Sequence, residues 1–118
     1  MEYFDTSEFD CKHTGKNEMN TDFLQYVDEL RDRCGFPFVI TSGYRDVTHP
    51  VEAAKDKPGF HSMGVAADIK VNGGFQRYEI VEHAIDMGIG GIGVNKQFIH
   101  IDQRQLIYPQ MSKVIFTY

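Results

Sequence analysis

The chain has 118 residues and a net charge of −5, from 12 basic and 17 acidic side chains. That length suits one domain able to bury a core without staples, and a 42% hydrophobic content argues against disorder. The acidic balance excludes a nucleic-acid backbone as partner, and no apolar run approaches the ~20 residues of a membrane helix.

Residues 1–19 mix aromatic and polar groups and are predicted to form an irregular arm, with Tyr3, Phe4 and Phe9 packed on the body. Residues 21–34 read as an amphipathic helix, because Phe23, Val27, Leu30 and Cys34 share one face. Asn20 or Thr21 caps its start, Gly35 follows its end, and Pro37 forbids continuation. Phe38–Ser42 is a strand by composition. Residues 43–64 carry scattered Gly and Pro without a period, so they read as a long loop with a helical turn near Val51–Lys55. So long an irregular stretch in a small domain points to function. Val65–Val71 is a second strand, and residues 75–87 are a second helix ended by Gly88. Strands follow at Ile89–Val94, Phe98–Gln103 and Lys113–Thr117, the first two joined by a hairpin turn at Asn95-Lys96. The order predicts a single α+β domain over residues 1–118, with helices packed on one face of a small, mainly antiparallel sheet.

The two cysteines, Cys11 and Cys34, form neither a disulfide framework nor a CxxC zinc site and read as reduced thiols. The first fifteen residues are acidic and broken, so no signal peptide is expected. A monomer is expected. No loop has the alternating acids of a calcium site.

The chemistry concentrates at Gly59-Phe60-His61-Ser62-Met63-Gly64-Val65-Ala66-Ala67-Asp68. On a straight strand His61 and Asp68 would lie about 23 Å apart, too far for one ion. A bend at Gly64 would return His61 toward Asp68. In Phe98-Ile99-His100-Ile101-Asp102, strand alternation puts His100 and Asp102 on one face and the isoleucines on the other. If this strand lies beside the Asp68 strand, His61, Asp68 and His100 form a three-ligand set with a fourth position open, the pattern of catalytic zinc. Arg45, at the end of Thr41-Ser42-Gly43-Tyr44-Arg45, can grip a carboxylate with two hydrogen bonds, and Tyr44 can line a pocket. His13, His49 and His83 read as surface or loop residues, with His49 a minor partner of the motif.

Together these pieces resemble the zinc D-Ala-D-Ala carboxypeptidase family of peptidoglycan peptidases, whose fold is shared with the hedgehog amino-terminal domain. The family pattern Ser-x-His-x-x-Gly-x-Ala-x-Asp is matched at residues 59–68 except that Gly59 replaces Ser. Ser42-Gly43-Tyr44-Arg45 and the Gly90–Val94 strand before His100-Ile101-Asp102 also match, and Phe9-Asp10-Cys11-Lys12 resembles the arm of small phage-borne members.

The resemblance implies zinc held by His61, Asp68 and His100, and a substrate carboxylate gripped by Arg45 with help from Tyr44 and Ser42. It implies hydrolysis of peptidoglycan stem peptides by a carboxypeptidase or endopeptidase, in an endolysin-type or virion role beside other phage proteins. It also implies synthesis in a bacterial cytoplasm, with action at the cell wall after passage through a holin-like pore or delivery within a phage particle. Some relatives carry an acidic base three residues before the last ligand, where this chain has Gln97. Asp102 is therefore the expected base, with two alternatives: that it orients an imidazole, or that it binds the metal while His100 handles the proton. The changes at Gly59 and Gln97 also leave open a non-catalytic virion or wall-binding protein that keeps the fold.

Overall fold

The computed structural model describes residues 1–118. Its elements are α1 (Thr21–Cys34), β1 (Ile40–Ser42), α2 (Pro50–Ala53), β2 (Ala66–Lys70), α3 (Gly74–Asp86), β3 (Gly91–Val94), β4 (Phe98–Asp102) and β5 (Val114–Thr117). Single 3-10 turns lie at Thr6–Phe9 and Arg104–Leu106. The five strands form one sheet in the order β1-β2-β4-β3-β5. Three pairings are antiparallel, and β5 joins β3 in parallel. This is the expected α+β architecture, with strands somewhat shorter than composition suggested.

Local signals set the helices. The Asn20 side chain accepts the Phe23 backbone N–H at 3.0 Å, and Gly35 closes α1 in the left-handed conformation. Within 43–64 the expected turn is α2, capped by His49, whose Nδ1 accepts the Val51 N–H at 3.1 Å. His49 is thus spent on a cap.

The sheet has two unlike faces. Ala67 and Ile69 of β2, Ile92 of β3, and Ile99 and Ile101 of β4 pack with Phe23, Val27 and Leu30 of α1 and Ile80 and Ala84 of α3. The amino-terminal arm adds Phe4 and Phe9 to this core, as expected, while Tyr3 stays partly exposed. Alternation sends Asp68, His100 and Asp102 to the opposite face. Register then places His100 across from Asp68 on one side and Gly93 on the other, and Asp102 across from Gly91.

The glycine of β3 is a steric requirement. A Cβ on Gly91 would lie 2.3 Å from both Asp102 carboxylate oxygens. Gly91→Ala is therefore expected to destabilise the protein by about 1–3 kcal/mol, the usual cost of overpacking. Gly74→Ala, whose Cβ meets only a flexible Arg77 nitrogen at 4.0 Å, should be neutral or stabilising. Urea denaturation of the two variants checks the contrast.

Candidate metal centre

His61 is returned to the sheet by a sharp bend. Gly64 sits at φ +75°, and a Cβ there would come 2.3 Å from the Glu18 carbonyl oxygen. Only glycine meets both demands. His61 Nδ1 lies 2.8 Å from the Gly43 carbonyl oxygen, which can only accept. The proton is thereby assigned to Nδ1, leaving Nε2 with a lone pair 3.4 Å from Asp68 Oδ1.

His100 mirrors this arrangement. Its Nε2 lies 2.7 Å from Asp102 Oδ2 and donates to it. Its Nδ1 lies 3.0 Å from Asp68 Oδ1. The donor atoms of His61, Asp68 and His100 all fall within 4.8 Å of one another, and all three residues are buried. When each imidazole is neutral with its N–H on the outer partner, three electron-rich atoms face one another, an arrangement that can take a cation. Donors about 2 Å from one tetrahedral ion sit roughly 3.3 Å apart, close to the spacing here. Two imidazoles and a carboxylate suit a borderline-soft divalent metal. The donor set fits.

The surroundings favour positive charge at this point. Protonated imidazoles can stand in for that cation: burial raises the Asp68 carboxyl's proton affinity, but hydrogen bonds from His100 and His61 in that form outweigh it and hold the pKa well below the usual range. Burial lowers the His61 pKa, whereas bonds to Asp102 and Asp68 overcome burial at His100 and raise it.

Asp102 is fully buried and does not line the cavity before the metal group. Its oxygens accept Arg104 Nε at 2.8 Å, Arg104 Nη2 at 2.7 Å and the Arg104 backbone N–H at 3.1 Å, besides His100. Burial is again outweighed, here by Arg104, and the pKa falls to about 2. Expected as the base, Asp102 is instead walled off from the cavity.

The cavity has a volume of about 290 Å³. Its lining includes Arg45, Lys55, Phe60, His61, Asp68 and His100, with Arg104, Phe116 and Tyr118 completing one wall. Arg45 Nη2 lies 3.5 Å from Asp68 Oδ2, and its Nε donates to Ser42 Oγ at 3.0 Å. Ser42 thus holds Arg45. Tyr44 does not reach the cavity. It is buried, and its hydroxyl donates to Glu18, whose bond pushes the phenol's pKa up to about 12. The expectation of Tyr44 in the pocket fails because the arm covers β1's end and captures the ring.

Sequence reading missed Arg104 and Glu52. Arg104 stacks its guanidinium 4.6 Å over the Phe60 ring while gripping Asp102. Nothing local to Arg104 marks it, save its place two residues beyond His-x-Asp. Glu52 is buried and ties Lys55, Gly59 and Ser62 together. The two cysteines are both free.

An α+β domain with a buried His/Asp/His group and an open cavity beside it has the makings of a metal-dependent hydrolase. A family model described as Peptidase M15 matches residues 2–102, and the chain belongs to that peptidase family. No curated protein matches the sequence.

Glu52 sets a pH dependence. Burial opposes its charge, but Lys55, the Gly59 N–H and Ser62 prevail, taking its pKa from 4.5 to about 2. The ionised group therefore stabilises the fold fully above pH 4.5, and that contribution is lost as pH falls toward about 2. Glu52→Gln should cost about 3 kcal/mol at pH 7, with the gap to wild type closing across this acid window. Denaturation with chelator present, repeated from neutral to acid pH, measures it.

Proposed function

We propose that the protein is a zinc peptidase that hydrolyses bacterial peptidoglycan stem peptides, serving a phage in lysis or infection. The convergence of His61 Nε2, Asp68 Oδ1 and His100 Nδ1, with both imidazole protons committed elsewhere, carries this reading. His61, Asp68 and His100 would hold the ion. When bound, zinc supplies Lewis acidity that polarises a peptide carbonyl and acidifies water.

The protein's own groups do the rest. Asp102 fixes the His100 tautomer and plane, and Arg104 keeps Asp102 ionised and aligned. Arg45 docks a free carboxylate of the substrate, setting register along the cavity. Phe60 and Phe116 give the cavity wall apolar surface. Action on the wall follows release from the cytoplasm through a membrane pore or delivery by a particle.

A second reading is a metal-bearing wall-binding protein without turnover. The observation favouring it is that Asp68 is the only carboxylate lining the cavity. Gln97 supplies none, and Asp102 is occupied. Defined muropeptides digested with and without chelator, read by mass spectrometry, decide between them. The enzyme reading expects products that vanish with chelator and in His61→Ala or Asp68→Ala. Peptidoglycan retention without any product supports the binding reading.

Arg104→Ala is expected to weaken metal binding about tenfold, because His100 loses its anchored partner. Competition with a chromophoric chelator reports this without reference to turnover. Unchanged affinity would remove the positioning role given to Arg104 and Asp102.

A further inference from the structure

The loop that delivers His61 also builds something the metal group does not need. Glu52 Oε1 accepts the Gly59 N–H at 2.8 Å and the Ser62 hydroxyl at 2.9 Å. Its Oε2 accepts Lys55 Nζ at 2.7 Å and lies 3.6 Å from Arg45 Nη1. The two cations share one buried oxygen, so their nitrogens are no farther apart than those two distances combined. Both line the cavity before the metal group.

Their hydrogen-bonding capacity is far from used up. Arg45 reaches its carboxylates only at 3.5 and 3.6 Å. Lys55 has three N–H donors, a single carboxylate partner, and a side chain 41% exposed. Arg104, the other cation of the wall, is held by Asp102 through two short side-chain bonds, at 2.8 and 2.7 Å. In a chain of net charge −5, two under-used cations side by side in one cavity mark an anion site.

The departure at Gly59 belongs to the same construction. A Cβ at this position would lie 2.8 Å from Lys55 Nζ and 3.2 Å from Glu52 Oε1. A serine here would push the ammonium off its seat. Glycine makes the room that Lys55 occupies.

We propose that Lys55 is a specificity-determining residue that reads, with Arg45, a free carboxylate adjacent to the reacting bond. The substrate class is then peptides ending or branching in a carboxylate at that point, not their amides. This deepens the peptidase reading and rests on it for the bond cut, but recognition is measurable on its own.

The test is calorimetric binding of acetyl-D-alanyl-D-alanine and of its carboxamide to the zinc-loaded protein, with cleavage followed in parallel. Wild type should prefer the acid. Lys55→Gln should weaken the acid about tenfold, one hydrogen bond to a charged group, and leave the amide unchanged. Gly59→Ser, which displaces the flexible lysine tip and asks only a few tenths of an ångström of Glu52 Oε1, should shift the acid in the same direction with the fold intact. Equal binding of acid and amide by wild type, no binding of either, or a Lys55→Gln effect that is absent or equal on both, overturns the proposal. Cleavage without Lys55 dependence would reject this proposal and keep the peptidase. Acid preference that depends on Lys55, without cleavage, would do the reverse.

Discussion

Three electron-rich atoms pressed together on one sheet face set the terms for the rest of the molecule. His61 Nε2 and His100 Nδ1 both face Asp68 Oδ1, and with a cation between them neither keeps its proton there. For His100 that requires an acceptor at Nε2, which Asp102 supplies from the same strand face two residues on. A buried carboxylate needs a cation, and Arg104 supplies it through two side-chain bonds and its own N–H. The carboxylate needs space above β3, which Gly91 leaves free. Each step is forced by the one before. For His61 the acceptor is a backbone carbonyl, that of Gly43, so the loop's path and the ring's protonation are one problem.

Charge is handled the same way throughout this face. Asp68, Asp102 and Glu52 are all buried, and each has an arginine or lysine against it. Breaking such a pair by removing one partner is costly, but against well-packed apolar residues the whole pair gains little, since desolvation offsets much of the attraction. The stability lies on the opposite face, where isoleucines of β2, β3 and β4 meet the apolar sides of α1 and α3. Strand alternation separates the two tasks residue by residue: Ile99 and Ile101 serve the core, His100 and Asp102 the site.

The features legible in the sequence are those set by neighbours along the chain. Helix α1 carries its own caps, so its bounds follow from Asn20 and Gly35. The Ile-His-Ile-Asp alternation of β4 fixes which side chains share a face. Gly64 reads as a bend because the geometry of His61 and Asp68 demands one. What escapes is the choice of partner. Period two puts His100 and Asp102 together, but only Arg104 behind Asp102 turns that acid away from the cavity. Tyr44 directly precedes Arg45 in sequence but is captured by Glu18 from the arm in space. Glu52 sits in a stretch without period, and its burial is created by Lys55, Gly59 and Ser62 closing over it. The parallel docking of β5 on β3 depends on a long-range pairing that composition does not encode.

The two departures from the peptidase motif have different physical weight. Gly59 is compensated: the volume its missing side chain leaves is filled by the Lys55 ammonium over a carboxylate. Gln97 is not replaced in kind. It lines a neighbouring cavity with Lys70, Lys96 and Phe98, and Phe98 is shared with the metal cavity. With Gln97 neutral and outside the metal cavity, Asp68 is the one side-chain carboxylate among that cavity's lining residues. Its Oδ1 faces both imidazoles and its Oδ2 faces Arg45 at 3.5 Å, so a charge placed at the imidazoles acts on the arginine through this one group.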